Sequence, residues 1–263
     1  MNNPKLITSA ANPAVKMLRS LGVKKYREEE GLFLVEGMRH IGDALGQGWE
    51  LAALAFSERG REDAREAIAA CAAAGGQCLE VTDDLLQKIT GRDNTQPVLG
   101  AFRQRFQALD DIKEGLWVGL ETVRDPGNLG AIIRTADAAG AHGIILIGEC
   151  CDPFQPETVR ASMGSFARIP VARAAPAEFL RWRKGWKGRI VGTHVHARAL
   201  DYRGAFYELP LLLLMGGESA GLSEDMASAC DALVKIPMAG GAESLNLAVA
   251  TGIMLYEIGR GRL

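Results

Sequence analysis

Five apolar runs between residues 115 and 238 constrain this chain more than any other feature. They are GLWVGLETV (115–123), GIILIGE (143–149), RIVGTHVHA (189–197), LPLLLLMGG (209–217) and ALVKIPM (232–238). Each is apolar almost without interruption instead of alternating, so both faces of each strand must be covered. Helical patterns separate them, and strands joined through helices pair in parallel. The expectation for residues 115–263 is an α/β domain built on a parallel sheet with helices on both faces.

Residues 1–105 alternate on a smaller scale. NPAVKMLRSL (12–21) opens with an Asn cap and a Pro at the first helical position, so it reads as a helix. LFLVEG, ELAALAFS, QCLEVT and PVLGAFRQRF read as strands, with MRHIGDALGQG, REDAREAIAACAAAGG and DDLLQKIT as helices between them. This is a small three-layer α/β domain. Residues 106–114 (FQALDDIKEG spans the junction) are expected to link the two domains.

Charge and cysteine usage narrow the class. The N-terminus lacks the basic-then-apolar order of a signal peptide, and no apolar stretch approaches the roughly 20 residues a membrane span needs, so a cytoplasmic protein is expected. Five cysteines, at 71, 78, 150, 151 and 230, form no C-x-x-C pair and read as small buried hydrophobes. A net charge of −2 does not announce a nucleic-acid binder, but its distribution is uneven. Residues 1–27 contain Lys5, Lys16, Arg19, Lys24, Lys25 and Arg27 and no acid. RWRKGWKGR (181–189) carries five basic residues and two Trp. Such clusters can neutralise phosphates, and the Trp rings either stack bases or pack.

Several motifs compete for the chemistry. G-x-S-x-G at Gly217, Ser219 and Gly221 follows a strand, as a nucleophile elbow does. The elbow needs a downstream His, and the only histidines (40, 142, 194 and 196) all precede Ser219. Neither G-x-G-x-x-G nor G-x-x-x-x-G-K-[ST] occurs. His194 and His196 share a strand face but have no third ligand at metal-site spacing. In DPGNLGAIIRTADAAG (125–140), Asn128 reads as the cap of a helix starting near Leu129. Leu129, Ile132, Ile133, Ala136 and Ala139 form its buried stripe, and Arg134 projects from the other side. In VKIPMAGGAESLNLAVATGIMLYE (234–257), Ser244 reads as the cap of a helix from Leu245 to Ile258 whose only charge is Glu257. So apolar a helix must be buried in a core or against a second subunit. Ser244 and Asn246 crowd its first turn, where ligands commonly meet a helix.

DPGNLGAIIRTADAAG, LLLLMGGESAGLS (211–223) and VKIPMAGGAESLNLAVATGIMLYE resemble, in order and spacing, the three motifs of the SpoU (TrmH-type) RNA ribose methyltransferases of the SPOUT superfamily. VRASMGSFARIPV (159–171) is similar to the segment between the first two, and residues 7–45 are similar to the L30e-like substrate-binding domain fused to many members. The resemblance implies a deep trefoil knot in the C-terminal domain, a homodimer, and S-adenosylmethionine as methyl donor. It places the donor, held mostly by backbone groups, near Thr193, His196, Leu214, Gly216, Gly217, Glu218, Ile236, Met238, Ser244 and Leu245. It places Arg134 at the reacting centre with Asn128, Glu218, Ser244 and Asn246 around it. RNA is expected on Lys16, Arg19, Lys24, Lys25 and Arg27 as well as on Arg134, and no metal is expected. The implied reaction is methylation of a ribose 2′-hydroxyl, in ribosomal more than transfer RNA. A catalytically inactive RNA-binding protein and methylation of an RNA base are the alternatives.

Overall fold

The structure is a computed structural model that describes residues 6–194, 199–218 and 220–261. The chain forms two compact units, Met1–Gln104 with Phe154–Arg168, and Arg105–Pro153 with Ile169–Leu263.

In the first unit, helices α1 (Pro13–Ser20), α2 (Lys24–Glu30), α3 (Met38–Gly46), α4 (Arg65–Ala73) and α5 (Asp83–Thr90) alternate with strands β1 (Leu32–Glu36), β2 (Leu51–Phe56), β3 (Gln77–Glu80) and β4 (Val98–Arg103). The mixed sheet runs β1-β4-β2-β3; β4 lies antiparallel to β1 and β2, and β3 parallel to β2. Asn12 caps α1 by accepting from Ala14 N at 2.9 Å, as the sequence implies. One sheet face buries Val15, Leu18, Leu21, Leu85, Leu86 and Ile89; the other buries Phe33, Ile41, Trp49 and Phe102.

That second face is completed by a segment from far along the chain. Phe154, Val159 and Phe166 join its core, with the Phe154 and Phe33 rings 4.6 Å apart. Trp49 Nε1 donates to Ala167 O at 2.9 Å, and Arg160 meets the Glu36 carboxylate at 3.2 Å. The segment carries α7 (Pro156–Ala161).

The second unit contains β5 (Leu116–Glu121), α6 (Pro126–Ala138), β6 (Gly143–Ile147), β7 (Val171–Ala174), α8 (Pro176–Arg183), β8 (Arg189–Thr193), β9 (Leu200–Asp201), β10 (Leu211–Met215), α9 (Glu224–Ser228), β11 (Ala232–Lys235) and α10 (Leu247–Ile258). Its seven strands run β7-β6-β5-β10-β8-β11-β9, and every neighbouring pair is parallel. The five apolar runs are β5, β6, β8, β10 and β11, while β7 and β9 are edge strands too short to show a pattern. Strand β10 lies between β5 and β8, both of which precede it in the chain. Leu211–Met215 is fully or almost fully buried because it has a strand on each side and a core on each face. Helix α10 packs on α6, its face of Leu247, Thr251, Met254, Leu255 and Ile258 turned inward. Val249 and Tyr256, on its other side, are 52% and 54% exposed in the single chain.

Candidate active site

Parallel strands end on a common edge, and ligands of open α/β sheets bind outside those carboxyl ends where chain direction changes. Here β5, β10, β8 and β11 end at Glu121, Met215, Thr193 and Lys235. The loops beyond these ends carry the residues singled out in the sequence.

After β5, Thr122 adopts φ 54°, a left-handed conformation unusual for a β-branched residue and typical of functional loops. Helix α6 then starts at Pro126, earlier than the sequence suggests. Asp125, not Asn128, is its cap, with Oδ1 accepting from Asn128 N at 2.7 Å. Asn128 stands inside the first turn, so its side-chain amide is available for other contacts. An Asp directly before a Pro at N1 is the signal that identifies Asp125.

After β10 the chain reverses tightly. Gly221 has φ 66° and donates its N–H to Gly217 O at 3.0 Å. A Cβ on Gly216 would lie 2.0 Å from Gly221 C, and one on Gly217 would lie 2.8 Å from Thr122 Oγ1. Neighbouring atoms lie where those side chains would be, which is why glycine occupies both positions. The buried carboxylate of Glu121, which no sequence motif marks, accepts from Ser223 N at 2.9 Å and ties this loop to the end of β5. Glu218 sits exposed on the reversal.

Helix α10 begins at Leu247 and not Leu245, because Asn246 is the cap in place of Ser244. Its Oδ1 accepts from Ala248 N at 2.9 Å and Val249 N at 3.2 Å. These two bonds fix the polarity of the neighbouring side chains. With Oδ1 on backbone donors, the Asn246 amide must present Nδ2, which donates to Asn128 Oδ1 at 2.8 Å. Asn128 in turn presents Nδ2 and donates to Glu218 Oε1 at 3.2 Å. An amide can be read either way round from its shape alone, but this chain of bonds starts at backbone N–H groups that only donate. Three residues from three separated motifs thus form one directional relay. It ends on the Glu218 carboxylate, bound through Oε1.

The remaining expected site residues fall in several places. Thr193 Oγ1 meets Met215 Sδ at 3.4 Å, which links the ends of β8 and β10. Ile236, Met238 and Leu245 lie on the loops after β11, half-buried or exposed. Ser244 is exposed and makes no side-chain hydrogen bond among the described residues. The Leu214 side chain is fully buried in the sheet core near the end of β10, which leaves only its backbone to meet a donor. His196 and Ser219 lie outside the described residues.

Arg134 is exposed on α6 and has no partner among the described residues. It is six positions past Asn128, roughly 9 Å along the helix and about 240° around it. It therefore stands apart from the relay, with its guanidinium uncommitted.

Of the expected RNA contacts, Lys16 and Arg19 are exposed on one face of α1. Lys24 and Lys25 are exposed but face Glu28 and Glu29 at 3.8 and 3.7 Å along α2. Arg27 is a correction. It is 2% exposed and donates to Leu21 O at 2.9 Å, so it holds the α1–α2 turn and cannot reach a phosphate. The Trp residues of the second basic cluster are packing residues. The Trp182 ring stacks on Trp186 at 5.1 Å and lies against Phe179 at 5.6 Å, on the sheet core.

Comparison with known proteins agrees with this arrangement. The description of the SpoU rRNA methylase family matches residues 115–256, and that of the MRM3-like substrate binding domain matches residues 12–100. The chain is 35% identical over 253 residues (92% of this chain, 88% of the relative) to the 23S rRNA (uridine(2479)-2′-O)-methyltransferase of Streptomyces viridochromogenes. It is 30% identical to the 23S rRNA (guanosine(2553)-2′-O)-methyltransferase RlmP of Bacillus subtilis, over 97% of this chain and 99% of that one. The AdoMet-bound rRNA methyltransferase from Sinorhizobium meliloti superimposes with a TM-score of 0.93 at 49% identity, covering 98% of each chain. The chain belongs to the SpoU rRNA methylase family, with an MRM3-like substrate-binding domain ahead of its SpoU domain.

Proposed function

We propose that this protein transfers a methyl group from S-adenosylmethionine to a ribose 2′-hydroxyl of ribosomal RNA. The observation that carries the reading is the Asn246–Asn128–Glu218 relay, three motif residues joined at the carboxyl edge of a SpoU sheet. When bound, S-adenosylmethionine supplies a methyl group made electrophilic by its sulfonium. The loops fit such a donor. Among the described residues, no backbone N–H from 238 to 245 donates to another backbone group, so a run of donors can read a purine edge. Ile236, Met238 and Leu245 provide apolar contact, with Thr193, Gly216 and Gly217 on the neighbouring loops.

A ribose hydroxyl is a weak nucleophile until its proton is shared. Glu218, oriented through one oxygen by Asn128, offers the other as acceptor for that proton. A guanidinium is not a general base, so the part Arg134 plays is a different one. Its planar fork suits a phosphate next to the target ribose and the charge that develops on the hydroxyl oxygen. Ser244 lies near enough in the chain to Asn246 to contact donor or substrate. Lys16 and Arg19 extend the RNA contact onto the first unit.

The protein is read as a cytoplasmic homodimer. Val249 and Tyr256, seven residues apart on one face of α10, offer an apolar stripe that a second subunit would cover. All five cysteines are free, and no helix among the described residues is long and apolar enough to cross a membrane. Mapping ribose methylations across total RNA from cells with and without the gene tests the reading. One 23S ribosomal position is expected to lose its methyl group; an unchanged map would overturn the assignment.

A further inference from the structure

The second unit holds an open concavity of about 850 Å³ at the far end of the sheet from the relay. Its walls come from residues 107–113, which lead into β5, and from α8 with the turn that leads into β8. These are the amino ends of the strands, whereas the relay lies at their carboxyl ends. Five residues of strand separate the two edges, roughly 17 Å.

The floor is apolar, formed by the buried Leu109, Ile112 and Trp186. The rim is basic. Lys113, Arg181 and Lys187 all line it, all are exposed, and none has a hydrogen-bonding or ionic partner among the described residues. Other arginines near this rim are committed. Arg173, on the same wall, pairs with Asp152 at 3.1 Å and covers the Phe106 ring at 4.3 Å. Arg183, two residues from Arg181, pairs with Asp231 at 2.6 Å. The wall also carries two acids, Asp110 and Glu178, the latter accepting from Ala175 N at 3.2 Å, so the three unpartnered cations outnumber the acids.

Cations left without partners around a concavity form a local positive field in a chain whose net charge is −2. The rim cations come from two segments, Lys113 ahead of β5 and Arg181 with Lys187 on α8 and the turn after it. Cations spread over two segments suit successive phosphates of a polynucleotide better than one small anion. The aromatic rings beside them stack on one another, so the surface has no free aromatic platform with which to read bases.

We infer that this rim is a second RNA-contact surface, which holds the phosphate backbone of the substrate RNA without regard to sequence. The inference rests on the reading of the protein as an RNA methyltransferase. It assigns RNA affinity to the catalytic unit itself, in addition to the substrate-binding domain. A folded RNA is far larger than the distance between the two sheet edges, so one molecule can occupy both.

The test uses the full chain with Lys113→Glu, Arg181→Glu and Lys187→Glu combined, beside a neutral version with Gln at the same positions. RNA affinity is measured from low to high salt on the methylated ribosomal fragment, together with S-adenosylmethionine affinity and turnover at saturating RNA. The expected result is weaker RNA binding and a salt dependence shallower by about two to three in log–log slope, at roughly 0.7–0.9 for each phosphate no longer neutralised. Donor affinity and saturated turnover should stay at wild-type values, with the Gln version intermediate in affinity. Unchanged affinity and slope beside an active wild-type protein would overturn the second surface alone. A wild-type protein that neither binds nor methylates RNA would overturn the functional reading and this inference with it.

Discussion

Arg134 is the residue whose role depends least on packing. It is exposed and without a partner among the described residues, so its removal breaks no structural interaction. Arg134→Ala should lower methyl transfer by about 10²- to 10³-fold, the usual loss when a preorganised stabiliser of developing charge is deleted. Donor affinity by titration should remain at the wild-type level. Arg134→Lys should recover little, because an ammonium is a point charge and cannot replace a bidentate fork. The cysteines are the opposite case. Burial pushes the Cys71, Cys151 and Cys230 thiols up to about 12. Near pH 8 these thiols should resist alkylation in the native protein and react once it is unfolded, as mass spectrometry can follow. Unfolded thiols ionise from about 9, while these folded ones hold their protons to about 12. The folded state thus binds more protons in that window, and stability should fall as pH rises through it.

At the scale of elements, the site is a meeting of two helix starts and one loop. Asn246 serves α10 through Oδ1 and the relay through Nδ2. Asn246→Asp should separate these functions. Asp caps as well as Asn does, so thermal stability should change little, whereas loss of the donation to Asn128 should reduce turnover. Asn246→Ala should lose both, at about 1 kcal/mol in stability. Equal stability losses in the two variants would contradict the assignment of the cap. These elements are unevenly legible in the sequence. Apolar runs two-sided in burial announce the central strands, and alternation with helices announces parallel pairing. Helix starts are displaced by a few residues because Ser, Asn and Asp all cap, and 125–128 and 244–246 each offer more than one. Arg27 reads as a phosphate ligand because charge in a sequence carries no record of burial. The edge strands β7 and β9 are too short to carry a period.

The whole molecule contains relations that no local pattern encodes. Residues 154–168 leave the second unit and complete the core of the first, with Phe154 and Phe166 around Trp49. A truncation near Ile112 would strip these rings of their partners, so the two units are better separated by point variants in the full chain. The insertion of β10 between β5 and β8 is likewise non-local, and membership of the SpoU family implies a trefoil knot in this unit. Relatives named as uridine and guanosine 2′-O-methyltransferases are 35% and 30% identical to this chain, and a ribose hydroxyl is common to every nucleotide. The central claim is therefore about the atom methylated. It is tested most directly by incubating the full chain with ribosomal RNA and S-adenosylmethionine carrying a tritiated methyl group, then digesting the RNA in alkali. Alkaline cleavage requires a free 2′-hydroxyl, so label on the ribose must emerge in an alkali-resistant dinucleotide, and this is the expected result. Label released in mononucleotides would place the methyl group on a base and contradict the account.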